Sequence, residues 1–178
     1  MRLFFLTAGL LAAAASITAA QTPAVVDATP NVTGVTITNV GSYTGQSTSA
    51  PAAAGQESPS GTVGTAVNWH FVSDSTDIGG KVGMQFGIEF RIDGAPAGET
   101  VPLYLALTFP EQGFRNPNTG ERLHSAKIVF PNMKIGALCL LGYGFDNAWE
   151  IVPGVWTEQI WYRDRMLTEG SFTIGKPE

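Results

Sequence analysis

From Val82 to Ile92 apolar and polar positions alternate without a break. Val82, Met84, Phe86, Ile88, Phe90 and Ile92 fall on one side, and Gly83, Gln85, Gly87, Glu89 and Arg91 on the other. A period of two held for that long predicts a strand with one face on a core and one face wet. Turn residues follow at Asp93-Gly94 and Pro96–Glu99, and then Val101, Leu103, Leu105, Leu107 and Phe109 repeat the pattern. Pro102 sits near the start of that run, where a missing N–H is tolerated at a sheet edge. Upstream, Val67, Trp69 and Phe71 alternate against Asn68 and His70 in a strand expected over Thr62–Ser73, which Asp74–Asp77 and Gly79-Gly80 break. The β-branched run ending at Gly41 predicts a first strand over Gly34–Tyr43. Gly136–Phe145 reads as a buried strand, with a short strand expected at Lys127–Phe130.

The C-terminal stretch Gly142–Ile174 holds three of the four Trp residues and reads as a closing hairpin. Pro153-Gly154 suits the centre of a type II turn, with Pro presetting φ and Gly supplying the positive φ that follows. Alternation places Trp156, Ile160 and Tyr162 on a core face and Thr157, Gln159 and Trp161 on the outer one. The turn at Arg163–Arg165 has no Gly, so a left-handed residue is expected at Asp164. Leu167 and Phe172 cannot share a face under strict alternation, which points to a bulge at Gly170. Trp149, Pro153, Gly154 and Trp156 are thus expected to be structural.

No helical period interrupts this series. The pattern predicts an all-β fold, an antiparallel immunoglobulin-like β-sandwich of about 7–8 strands, with a small closed β-barrel as the alternative.

Composition changes the picture in two places. Thr44–Gly61, TGQSTSAPAAAGQESPSG, is low in complexity and carries one charge, Glu57. Such a segment buries too little to offset the entropy of ordering, so residues 44–61 are expected to be a flexible surface loop inside a single domain spanning 32–178. Residues 1–20 carry Arg2, an apolar run from Leu3 to Ala15, and then small residues. They read as a signal peptide cleaved near Ala20, with Thr18 and Ala20 at the sites a signal peptidase reads, followed by a flexible leader over 21–31. The expected location is periplasmic or secreted. The apolar run is shorter than the roughly 20 residues a membrane span needs, and no later stretch reaches that length.

Without Arg2, nine basic residues face 15 acidic ones. No Lys/Arg cluster exists, so the electrostatic footprint of nucleic-acid binding is missing, and the same absence argues against an anionic membrane surface as partner. Cys139 is the only cysteine and lies in an apolar run, which suits an inert buried thiol. His70 and His124 lack the spacing of metal ligands. No nucleophile elbow, phosphate loop or dinucleotide fingerprint occurs, and a carboxylate pair such as Asp146 and Glu150 is what any acidic chain offers. No catalytic residue, cofactor or metal is therefore expected. Among the aromatics, Trp161 and Trp69 are the candidates for ligand or partner contact.

Phe145-Asp146, Trp149-Glu150, Val152-Pro153-Gly154, Trp156 and Ile160-Trp161-Tyr162, followed by Leu167 and Phe172, resemble the signature of an exported bacterial domain-of-unknown-function family. The resemblance continues in Gly41, Tyr43, Val101-Pro102-Leu103, Phe109-Pro110, Gly113, Asn116-Pro117, Thr119-Gly120, Gly136 and Gly142-Tyr143. It implies a bacterial origin, export and a β-sandwich, and it carries over no catalytic or binding residue. The reading that follows is a non-catalytic interaction or structural module whose partner is an envelope protein. A carbohydrate-binding module meeting a glycan through Trp161, and a hydrolase with a carboxylate pair, are the alternatives.

Overall fold

A computed structural model of the chain describes residues 29–54 and 56–177. The expected signal peptide, its cleavage site and most of the leader lie outside the described residues. Among the described residues eleven strands follow one another, with a single turn of 3-10 helix, Ala148–Glu150, between the ninth and tenth. One sheet has the order β2 (Thr62–Ser73), β1 (Asn31–Pro51), β4 (Gln85–Ala95), β9 (Leu138–Gly144). The other runs β3 (Asp77–Gly80), β11 (Arg165–Pro177), β10 (Gly154–Tyr162), β5 (Thr100–Thr108), β8 (Ser125–Lys134). A small pair, β6 (Phe114–Arg115) and β7 (Arg122–Leu123), closes the loop after β5. Both main sheets are open rows, so the fold is a sandwich and not a closed barrel.

The alternation read from the sequence is what fills the space between the sheets. Phe86, Ile88, Phe90 and Ile92 of β4 face Leu103, Leu105 and Leu107 of β5, Trp156 and Ile160 of β10, and Phe172 and Ile174 of β11, all fully or almost fully buried. Rings crowd around Trp156: Phe109 at 4.7 Å, Tyr143 at 5.2 Å, Phe145 at 5.7 Å and Phe86 at 5.9 Å between centroids. Its one polar atom, Nε1, donates to the Val152 carbonyl at 2.8 Å.

On the outer side of the four-stranded sheet, Gly41, Gly87 and Gly142 stand level across β1, β4 and β9. A Cβ on Gly87 would run into the Leu141 carbonyl, and one on Gly142 into that of Phe86, so the strands approach there as only glycine permits.

Several local expectations need correction. β1 does not stop at Tyr43 but continues to Pro51, pairing Thr44 through Pro51 with β2. The loop expected over 44–61 is thus a strand in its first half. Strand pairing is made by the backbone, and Ser, Thr and Ala there need no core of their own. β2 has the expected bounds, but Asn68 takes φ 54° and adds a residue opposite Thr44–Gln46, so Val67 turns outward while Trp69 and Phe71 are half-buried. β4 begins at Gln85, because Met84 closes a turn back to Lys81, which leaves Val82 exposed. Pro102 is not on an edge strand. It sits at a bulge opposite β8 and beyond the stretch of β5 that pairs with β10, so its absent N–H is not missed. β8 extends well past Lys127–Phe130. The Asp77–Gly80 segment, expected to break the chain, pairs parallel to β11 and makes that edge an exception to the antiparallel pattern.

Two corrections concern the closing hairpin. Its bulge is at Leu167, between the pairs Ile160↔Thr168 and Trp161↔Met166, and not at Gly170, which pairs regularly with Glu158. Gly170 is small for another reason: a Cβ there would sit 2.9 Å from Ile88 Cδ1 of the facing sheet. The left-handed residue of the turn is Arg163, φ 57°, and not Asp164. Tyr162 pairs with Arg165, and a two-residue hairpin turn places positive φ at its first central position.

Beyond Tyr43 the β1–β2 pair leaves the sheet as a ribbon and crosses the molecule. Trp69, near its base, reaches Glu89 on β4. Ser47 and Ala66, midway, face Leu140–Gly144 of β9 across a cavity. At the tip, the Glu57 N–H donates to Lys127 O at 3.2 Å and Gln56 Nε2 to Val129 O at 3.0 Å, capping the free edge of β8.

Candidate functional site

The outer face of the five-stranded sheet carries a cross-strand row, Met166–Trp161–Tyr104–Val129, on β11, β10, β5 and β8. Met166 is exposed and the other three are half-exposed. The next row is polar apart from Ala106: Glu169, Gln159, Ala106 and Lys127. The polar row holds the apolar one in place. Trp161 Nε1 donates to Gln159 Oε1 at 3.1 Å, and Gln159 Nε2 donates to Glu169 Oε2 at 2.6 Å. The Lys127 ammonium lies 4.4 Å from the centroid of the Tyr104 ring.

Trp69 is elsewhere. Its indole Nε1 donates to Glu89 Oε2 at 2.7 Å on the outer face of the other sheet, so the structure does not bring Trp69 and Trp161 together. Glu89, expected to be wet, is 7% exposed. Burial alone would raise its pKa, but the bonds from Trp69, Asn39 and Thr38 together outweigh burial and hold it below the usual carboxylate value. Trp149 is half-buried and packs edge-on against Phe114 at 5.3 Å. Pro153 and Gly154, with Gly154 at φ 124°, lead into β10 beside Pro110, and Trp156 fills the core. His70 Nε2 lies 2.9 Å from Thr44 Oγ1 in a cross-strand contact. Cys139 is buried, which pushes its thiol pKa up.

The carboxylates are placed unlike a catalytic pair. Glu150 is fully buried, and its two oxygens accept from the Asp146 N–H at 2.8 Å and Asn147 Nδ2 at 2.9 Å. Burial, and secondarily the Asp146 charge, raise its pKa against those bonds. It shapes the loop before β10 and is withheld from any substrate, whereas a general acid must reach one. Glu158 is the residue that the sequence analysis left unplaced. It has the parity of Trp156 and Ile160, points into the core opposite Gly170 and Leu107, and has no hydrogen-bond partner on either oxygen. Burial raises its pKa well above the usual value, so it sits neutral in the core.

Beneath the ribbon is a cavity of about 120 Å³ between β1–β2 and the β8 and β9 edges. Gln85 and Tyr143 line it, and Gln85 Oε1 and Tyr143 Oη are buried with no partner in hydrogen-bond geometry.

No family model matches the chain, and no curated protein matches it. Among solved structures it is similar to the crystal structure of an immunoglobulin-like protein from Pseudomonas aeruginosa, at 27% identity and a TM-score of 0.52, over 60% of this chain and 83% of that one. The fold is immunoglobulin-like. The pairing agrees, since β4 and β9 in one sheet face β5, β10 and β11 in the other, as two antiparallel layers do in that sandwich. Among the described residues, no helix is long and apolar enough to cross a membrane.

Proposed function

We propose that the protein is an exported, non-catalytic immunoglobulin-like module of the bacterial envelope that meets a protein partner through the outer face of its five-stranded sheet. The observation that carries this reading is the row Met166–Trp161–Tyr104–Val129. Aromatic residues and Met are the types enriched at the centres of interfaces, and a rim of polar residues belongs around them. Trp161 and Tyr104 are already held by Gln159 and Lys127, so little side-chain freedom remains to be lost on binding. Export rests on the signal-like residues 1–20 and on the resemblance to an exported bacterial family. A sugar platform would need an open ring face. Among the described residues, the exposed large hydrophobic side chains are all aliphatic or Met.

A photo-reactive side chain placed at Met166 in intact cells should yield a discrete adduct with an envelope protein. The same group at Val72, on the opposite sheet and more exposed at 57% against 45% for Met166, should yield none. Equal adducts at both positions, or none at Met166 across several growth conditions, would count against the assignment.

A further inference from the structure

We propose that the cavity beneath the ribbon binds a small neutral polyol or one end of a neutral sugar. Its volume, about 120 Å³, is somewhat below the roughly 150 Å³ of an engineered cavity that admits benzene, a ring without the hydroxyls of a sugar. One wall is the ribbon, with Ser47, Ser49, Ser58, Ser60 and Thr62 in the lining; Ser58 Oγ donates to Thr62 O, and Ser60 Oγ lies 3.0 Å from Thr62 Oγ1. The opposite wall mixes apolar side chains, Ile128, Phe130 and Leu141, with Gln85 and Tyr143.

Hydroxyls both donate and accept, which matches a ligand whose own groups do the same, and the apolar side chains suit its C–H faces. The lining holds no Lys, Arg or His and one carboxylate, Asp146, so a carboxylate or phosphate would enter without a countercharge and against a like charge. Two buried atoms of lining residues have no partner in hydrogen-bond geometry: Gln85 Oε1, which can only accept, and Tyr143 Oη, which has the Ser60 side chain beside it but not aligned to bond and whose residue is 8% exposed. Such orphaned atoms are costly, and a ligand hydroxyl is a donor that reaches both kinds. The tip of the ribbon is tied to its neighbours by the Glu57 N–H and the Gln56 side chain on β8 and by Asn116 Nδ2, which donates to Pro59 O at 3.2 Å, and its side chains over Ser47–Ala50 are small.

The site lies away from the Met166–Trp161 row, so its failure would leave the proposed interface untouched. Titrating ¹⁵N-labelled protein with glycerol, neutral monosaccharides, short neutral oligosaccharides and glucuronate tests it. Saturable shifts of the Ser60, Gln85 and Tyr143 amides are expected with a neutral member. Binding by the free monosaccharide marks a free ligand, and binding by the oligosaccharide alone marks a glycan end; both support the site. Tyr143→Phe and Ser60→Ala should each weaken that binding about tenfold, the worth of roughly one neutral hydrogen bond. Ser60→Ala lies on the ribbon and keeps the test valid should the Tyr143 variant misfold. No saturable shift with any neutral member, equal affinity for glucuronate, or unchanged binding in a folded Ser60→Ala variant would overturn the proposal.

Discussion

The Trp69 indole donates to the Glu89 carboxylate at 2.7 Å, although β1 lies between their strands in the sheet. The bond pins the base of the ribbon to the sandwich. Thr38 and Asn39 supply the other donors, so Glu89 is buried, charged and bonded on both oxygens. Trp69→Phe leaves an aromatic ring, smaller than the indole, and removes one donor from a charged acceptor. It should cost roughly 1.5–3 kcal/mol in denaturant melts and should speed hydrogen exchange of the ribbon amides around 44–50 and 62–70. Unchanged exchange there would show that the ribbon is held by other contacts.

The same carboxylate gives a pH signature. Its pKa is lower folded than unfolded, so its contribution to stability is present above the ordinary carboxylate value of 4.5 and is lost as pH falls through the folded pKa. Glu89→Gln should be less stable than wild type at neutral pH, with the gap closing on acidification. A gap that does not change with pH would remove the charge from the explanation.

Glu158 works in the opposite sense. Its folded pKa is raised, so above the unfolded value the native state binds a proton that the unfolded chain does not. Stability therefore falls as pH rises from about 4.5 toward the folded pKa, with a slope of up to ~1.4 kcal/mol per pH unit. Glu158→Gln should flatten that slope, and Glu158→Met should raise stability at neutral pH, since an orphaned buried carboxyl gives way to an apolar chain of similar length. A Met variant that melts earlier than wild type would show that the carboxyl has a partner.

Trp156 and Trp161 share a strand and differ in parity. Trp156→Ala empties the centre of an aromatic cluster and strands the Val152 carbonyl, so it should cost about 3–5 kcal/mol. Trp161→Ala, from a half-exposed position, should cost well under half of that. Equal losses in parallel denaturant melts would contradict the facing of β10.

How much of this was legible in the sequence varies by element. β4, β5 and β10 could be read because a half-buried strand writes its facing into every second residue; Phe86, Ile88 and Phe90 or Trp156 and Ile160 admit one orientation. The same rule, carried one step further, marks Glu158 as buried. The ribbon could not be read, since Thr44–Pro51 pairs through its backbone and its small side chains carry no period. Alternation also says which way Glu89 points but not what covers it. The cover is Trp69, twenty residues away and brought there by the bulge at Asn68 and the bend beyond Gly41. The row Met166–Trp161–Tyr104–Val129 was half visible, as Trp161 on an outer face. Its neighbours depend on register across four strands and on the bulge at Leu167, which no single segment encodes.

The direct measurement of the central claim is the dissociation constant of the envelope protein captured at Met166, for wild-type chain and for Trp161→Ala, both shown to be folded by near-ultraviolet circular dichroism. An interface centred on Trp161 predicts a loss of about 2 kcal/mol or more, roughly 30-fold in affinity, with Tyr104→Ala losing a similar amount and Val72→Ala little. Equal affinity of wild type and Trp161→Ala would contradict the account.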